Sequence, residues 1–500
     1  MQQNLYSRFM AASSQSPKPH AAPAAAPDRR VYLAGAWVET AEPIDVCSPG
    51  RPDEVIARTF HAGAAELERA IEAAVAAEVP MARLAAYERG EALREICEGI
   101  RARRDDLALQ LAAEAGKPIR DAEIEIERGA LTFRLAAEEA ERQYGEVLPL
   151  DINAASRGRV GILRRFPIGA VAAISPFNLP LGLAAHKVAP ALAAGCPIVL
   201  KVPSNTPLTM LSVAEIVDAT NLPKGALSVL PMANEVGDAL VTDPRFKLLT
   251  FTGSPSVGWS MKERAGKKKV VLELGSNSAA IIDESADLAW AAERCAYGAF
   301  KYGGQLCISV QRLFVHNAIW DEFSARFVEA ARGLTVGDPL DRSTDIGPLI
   351  DERTATRLTT WIDEAVALGG EIVLRGELDG NFLAPTVLAN VPASARICRE
   401  EAFGPVAILS RFDDFSSMLD EVNDSRFGLQ AGIFTNDLGH AWTAFQQLHV
   451  GNVIVNDGPT YRVDNMPFGG VKDSGLGREG LRWAIEDMTE PRTMVIAGRP

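Results

Sequence analysis

Cysteine is scarce in this sequence: six residues, at 47, 97, 196, 295, 307 and 398, with no paired spacing among them. That excludes a disulfide scaffold and a cysteine zinc site, and it points to a reducing, cytoplasmic compartment. The six histidines are equally dispersed, and no metal is expected. A basic excess is also missing. The formal net charge is −14, which argues against a nucleic-acid partner, because such proteins need a cationic footprint. There is no long apolar run. The stretch 168–200 comes nearest, but Pro176, Pro180, Pro190 and Pro197 interrupt it and His186–Lys187 lie inside it, so no membrane span is expected. Residues 1–29 lack the apolar segment of a secretory leader. Rich in Ala, Ser, Pro and Gln, they read as a disordered tail. There is no internal repeat, no G-x-G-x-x-G fingerprint and no Walker A loop.

What is present is an ordinary globular composition, 47% hydrophobic and 23% charged, on a chain too long for one core. Short strands are expected at Val31–Leu33, Trp37–Glu39 and Ile44–Val46. From Ala64 to about Tyr144 the pattern is helical, with one break at Gly116–Lys117–Pro118. Between Ser175 and Ala280 strand-like and helix-like runs alternate, which indicates a parallel sheet covered by helices. A second α/β series follows from residue 287. Met494–Ile496, apolar and near the end, reads as an edge strand that another subunit can recruit.

The chain is organised around Tyr302–Ser309, a turn with Gly303 and Gly304 that leads into Cys307. The preceding helix carries an apolar stripe at Leu288, Ala292, Cys295 and Ala299. Glycine lets backbone approach closely, and a polarised setting lowers a thiol from about 8.5 into the nucleophilic range. The competing reading of Cys307 is a small buried hydrophobe. His186, in a run of small residues, reads as structural.

Five further stretches carry chemistry. Ser175–Pro180 holds Asn178 between prolines after a strand, as a rigid amide suited to an oxyanion or as a turn residue. Lys201–Ser204 ends a buried strand, where open α/β sheets bind nucleotides. Phe251–Gly258 joins strand to helix. Gly253 allows the tight turn, Ser254 or Ser256 can cap the helix, and its free N–H groups suit a phosphate. Glu273 stands inside the apolar run Val271–Leu274, and burial raises a carboxyl toward the range of a general base. Glu400–Val406 sets Glu401 and Phe403 before a turn, suited to ribose hydroxyls and a nicotinamide face.

Together with Gly-Gln-Leu-Cys and Pro-Phe-Gly-Gly-Val-Lys-Asp-Ser-Gly-Leu-Gly-Arg-Glu, these stretches in this order resemble the aldehyde dehydrogenase superfamily of the hydrolytic, non-phosphorylating kind, from about residue 30 to the end. The resemblance implies an α/β fold with a five-stranded Rossmann-like cofactor domain at 30–145 and 166–281. It implies a catalytic domain at 282–475 and a β oligomerisation arm at 146–165 with 476–500, in a homodimer or homotetramer. It implies Cys307 as nucleophile, Asn178 with the Cys307 N–H as oxyanion hole, and Glu273 as the base for water. It implies Lys201 and Ser204 at the adenosine ribose, Gly253, Ser254 and Val257 at the pyrophosphate turn, and Gly275, Glu401 and Phe403 at the nicotinamide ribose. Ser204 replaces the glutamate of many strictly NAD-dependent relatives, so either NAD or NADP is expected.

Departures from the pattern are Phe177 for the usual Trp, Ala279 for a Pro, and Ser276 for a second glycine, a strained position if it needs positive φ. Arg462, with Phe177 and Phe468 at the expected substrate mouth, is the candidate anchor for an anionic aldehyde of the lactaldehyde, phosphonoacetaldehyde or succinate-semialdehyde type. The competing reading is a surface pair with Asp464. Leu306 directly before the nucleophile disfavours a phosphonate. Arg134 is a second anchor candidate. A coenzyme A-acylating enzyme is the alternative, disfavoured by Glu273, and a catalytically silent structural protein the other, disfavoured by Cys307, Glu273 and Asn178.

Overall fold

A computed structural model of the chain describes residues 28–143 and 145–497. Five parallel strands, Val171–Ile174, Ile198–Val202, Leu227–Pro231, Leu248–Thr252 and Lys269–Glu273, form the centre of the first sheet. The antiparallel strands Val31–Leu33 and Ala36–Val38 extend it at one edge and Gly475–Leu476 at the other. All but the last of the five strands are buried along their whole length, as a sheet covered by helices on both faces requires. Alternation divides their side chains between two cores: Val171 and Ala173 point into one, Ala172 and Ile174 into the other.

The parallel strands start in the middle of this sheet. The chain runs outward through Ile198–Val202 and Leu227–Pro231, then returns to lay Leu248–Thr252 on the other side of Val171–Ile174. Strand order therefore reverses between those two neighbours, and the crevice beyond their carboxyl ends is where such sheets take ligands. The register brings Lys201 level with Ile174, Ile174 with Phe251, and Thr252 with Glu273 at that edge.

A second sheet of seven strands runs in the order Glu371–Leu374, Thr386–Ala389, Val406–Phe412, Arg312–His316, Ala279–Ile282, Gln430–Phe434 and Asn452–Val455; only the first is antiparallel to its neighbour. The Ala279–Ile282 strand, which the expected boundary at 281/282 would cut, belongs whole to this sheet. A third sheet pairs Glu146–Pro149, Arg159–Pro167 and Thr489–Ala497. Met494, Val495 and Ile496 are exposed on it.

Some sequence expectations need correction. The helical stretch after Ala64 is four helices: Ala64–Arg83, Ala86–Ala102, Arg104–Ala115 and Ile119–Glu141. The first boundary is set by Glu88, whose carboxylate accepts the Ala85 N–H at 2.7 Å. An 11-residue strand, Arg51–His61, pairs with Glu42–Ser48 where only short strands were expected. The expected tail at 1–29 lies outside the described residues but for its last two. Of these, Arg29 is tied down: its N–H donates to Arg58 O at 2.8 Å and its guanidinium to Glu215 at 2.7 Å.

Candidate active site

The turn before Cys307 owes its shape to three consecutive left-handed residues, Tyr302 (φ 50°), Gly303 (φ 61°) and Gly304 (φ 69°). A Cβ on Gly304 would lie 2.1 Å from the Gly404 carbonyl oxygen. The close approach served by this glycine is thus to the chain's own Glu401–Gly404 segment. Tyr302 tolerates its left-handed backbone because the ring is buried and its hydroxyl donates to Ala115 O at 2.8 Å. Gln305, fully buried, pins the turn through Ile350, Pro348 and Tyr302. Asn178 Nδ2 donates to the Gln305 carbonyl at 2.8 Å. That bond uses one amide hydrogen and holds the amide beside the cysteine turn. The Cys307 N–H has no acceptor among the described residues.

Cys307 packs with Ile308, Leu429 and Phe468. Gly469, next to Phe468, faces Glu273; a Cβ there would lie 2.7 Å from Glu273 Oε1. Glu273 itself ends its strand, fixed by Gly253 N–H donating to its carbonyl at 3.0 Å and by the Leu274 N–H donating to Ser474 O at 2.9 Å. Its carboxylate is buried and neither oxygen has a hydrogen-bond partner. Burial, then the Glu479 charge, raises it well above the usual carboxylate range. The thiol does not sit in the polarised setting expected from the sequence. Burial, then the Glu401 carboxylate, pushes Cys307 up to about 12, and Arg462 only partly opposes this.

A chain of buried ions lies behind Glu273. Lys187 Nζ donates to Thr252 at 2.7 Å, Thr250 at 3.1 Å and Glu479 at 3.3 Å. Arg462 donates to the other Glu479 oxygen at 3.0 Å. Burial alone would raise Glu479; Lys187 and Arg462 overcome it and hold the carboxyl well below its ordinary value. The surface pair of Arg462 with Asp464 does not form. Asp464 is buried and bonded instead to Arg128 at 2.6 Å and to His186 at 3.1 Å, the latter a structural partner as expected. The Arg462 guanidinium lies 3.8 Å from the Phe468 ring centroid, and its Nε is buried without a partner. Arg134 is not part of this group; it stays half-exposed beside Glu138.

On the cofactor side, Glu401 accepts the Ser276 N–H at 2.9 Å, and burial pushes its carboxyl up to about 7. Gly275 is needed here because a Cβ would come within 2.3 Å of Glu401 Oε2. Ser276 is not strained: the left-handed residue of this pair of loops is Phe403, at φ 48°. Phe403 meets Phe177 edge to face at 6.0 Å, so the expected nicotinamide and substrate residues touch. Gln311 shapes the Glu401 loop by donating to Ile397 O and Glu400 O and accepting from the Ala402 N–H.

The remaining cofactor candidates lie along the crevice. Lys201 is buried, its ammonium lowered by that burial, and Nζ has no hydrogen-bond partner among the described residues. Ser204 lies 2.8 Å from His61 Nε2. Ser254 precedes the Pro255–Arg264 helix, but its side chain makes no capping bond. The N–H groups of Ser256 and of half-exposed Val257 therefore have no acceptor among the described residues. Unpaired donors at a helix start and an unpaired lysine at a strand end fit the phosphates and ribose of a dinucleotide.

Lys187, Glu479, Arg128, Gln305, Gln311 and His61 escaped the sequence reading. The signal for Lys187 was available: a lysine in a run of small apolar residues has to be buried and paired. The others answer to partners far away in sequence.

The profile of the aldehyde dehydrogenase family matches residues 37–494. The chain belongs to this family. It is 42% identical over 473 residues to a 3-sulfolactaldehyde dehydrogenase of Priestia aryabhattai, covering 93% of this chain and 97% of that protein. It is 38% identical over 472 residues to a lactaldehyde dehydrogenase of Methanocaldococcus jannaschii, covering 93% and 100%. Among solved structures, aldehyde dehydrogenase 21 from Physcomitrella patens, in complex with the reaction product succinate, superposes with a TM-score of 0.92 at 45% identity over 94% of this chain and 98% of that one. Other solved relatives are complexed with NADP or NAD. The chain is an NAD(P)-dependent aldehyde dehydrogenase with the α/β fold of that family.

Proposed function

We propose that the chain oxidises a small anionic aldehyde to its carboxylic acid, with Cys307 as nucleophile and Glu273 as base. What carries the anionic reading is Arg462, a buried guanidinium stacked on Phe468, which itself packs on Cys307. Its Nε remains free to donate. The names of relatives favour the same chemistry: 3-sulfolactaldehyde bears a sulfonate and succinate a carboxylate. Lactaldehyde, which is neutral, is the competing substrate.

In the proposed cycle the Cys307 thiol passes its proton to water, and the sulfur then bonds to the aldehyde carbon as the C=O π pair moves to oxygen. The oxyanion is held by the second Asn178 amide hydrogen and the free Cys307 N–H. Hydride would leave the carbon bonded to Cys307 for a nicotinamide held in the crevice, and a thioester would remain on Cys307. Glu273 takes a proton from water, the hydroxyl adds to the thioester carbon, and the sulfur departs with the acid released. Lys201 and Ser204 hold the adenosine ribose, the Gly253–Val257 turn the pyrophosphate, and Glu401, Phe403 and Gly275 the nicotinamide end. The first sheet with its helices forms the cofactor domain, the second sheet, which includes Ala279–Ile282, the catalytic domain, and Glu146–Pro149, Arg159–Pro167 and Thr489–Ala497 an arm. Its exposed edge strand supports assembly as a homodimer or homotetramer.

The test compares succinate semialdehyde with butanal, its neutral analogue, in wild type and Arg462→Gln. The proposal expects a drop in kcat/KM about tenfold or more larger for the acidic substrate than for butanal, the scale of one charge-assisted hydrogen bond. Equal loss on both substrates would remove the anchor role. Unchanged aldehyde oxidation in Cys307→Ser would remove the whole cycle.

A further inference from the structure

The ribose end of the crevice holds a hydrogen-bonded series that the family pattern did not announce. Ser204 Oγ lies 2.8 Å from His61 Nε2, and His61 Nδ1 lies 3.0 Å from Glu42 Oε1. The series is set by the fold. His61 ends its strand directly across from Glu42 in the antiparallel register, and the loop after Ile198–Val202 delivers Ser204. The His61 side chain is only 15% exposed while Glu42 reaches solvent at 66%. Glu42 faces His61 from the paired strand; Lys201 lies on the strand before Ser204, and Glu235 acts on Lys201 from the helix beyond.

A Glu42 carboxylate can only accept, so Nδ1 carries a hydrogen and Nε2 faces the serine. With neutral His61, Nε2 accepts the Ser204 hydroxyl hydrogen. The serine then shows only lone pairs to the crevice, which suits a ribose 2′-hydroxyl that donates. With charged His61, Nε2–H donates to Ser204, and the hydroxyl hydrogen turns outward. That suits a phosphate, which can only accept. The proton on His61 therefore decides which 2′ substituent Ser204 can satisfy.

We infer that His61, acting through Ser204, is a specificity-determining residue for the adenosine 2′ position, and that 2′-phosphate binds here with uptake of a proton by the protein. The inference rests on the assignment of Lys201 and Ser204 to the adenosine ribose. It is tested by titration calorimetry of the full chain with adenosine 2′,5′-bisphosphate and with AMP, each in several buffers of different ionisation enthalpy at pH 7.5. Wild type is expected to take up more protons with the bisphosphate than with AMP. His61→Ala should lose that excess and weaken the bisphosphate about tenfold more than it weakens AMP, the scale of one charge-assisted contact. His61→Gln, a neutral donor to Ser204, should recover part of the affinity but none of the proton uptake. A merely structural His61 would weaken both ligands alike and leave the excess uptake in place, and either result overturns the inference. Lys201→Ala separates the two levels: if it binds AMP like wild type, the ribose assignment fails. If it loses AMP while His61→Ala treats the two ligands alike, only the role of His61 fails.

Discussion

Alkylation of Cys307 by iodoacetamide in the cofactor-free protein tests the electrostatics of the site directly. A thiol held up at about 12 is ionised on the order of one part in 10⁴ at pH 8, against about a quarter for an ordinary thiol near 8.5. The rarer thiolate is the more basic and hence more nucleophilic, which recovers a factor of about 40 with a Brønsted slope near 0.45. The net expectation is alkylation roughly 50-fold slower than for an ordinary exposed thiol, rising about tenfold per pH unit through pH 10. Peptide mass mapping distinguishes Cys307 from the five other cysteines. Glu401 is the largest electrostatic contribution after burial, so Glu401→Gln should speed the reaction at pH 8. Glu401 sits at about 7 and is itself ionised at pH 8. Below pH 7 it takes up a proton, its repulsion disappears, and the variant should converge on wild type. A rate that levels off below pH 9 in wild type, or a Glu401→Gln variant no faster at pH 8, would refute the reasoning.

Glu273→Gln should release one burst of reduced cofactor and then turn over about 10²–10⁴-fold slower, as stopped-flow absorbance would record. Because burial raises Glu273, the wild-type steady-state rate should climb with pH as this carboxyl loses its proton, and the climb should be absent in the variant. Arg462→Gln leaves Glu479 with Lys187 as its remaining cation, so urea unfolding should show a loss of about 3 kcal/mol, the low end for breaking a buried pair. Gly275→Ala should displace the Glu401 carboxylate, a movable group, with little change in melting temperature but turnover reduced on the order of 10²-fold. An equally active Gly275→Ala enzyme would show that the Glu401 position is not used.

The alternation of short apolar strands and helices made the parallel sheets legible, because a strand buried on both faces must be apolar throughout. Cys307, Glu273 and Asn178 were legible as candidates because each is a chemical group out of place in an otherwise apolar or rigid stretch. What stayed hidden depends on pairing across the fold. Arg462 and Asp464 are two residues apart, yet they answer to Glu479 and to Arg128 and His186, and no local pattern reports that. The raised thiol was hidden for the same reason: it comes from burial under the assembled fold and then from Glu401, on a loop of the second sheet. The helix breaks at Leu84–Ala85 and Arg103 were missed because no glycine or proline marks them.

The contact between Gly304 and Gly404 joins the two halves of the reaction centre in one mechanical part. The segment that carries Glu401 and Phe403 cannot move closer to the sulfur-bearing turn, and Phe403 in turn meets Phe177. A side chain at Gly304 would therefore disturb the thiol's turn and the Glu401–Phe403 segment together.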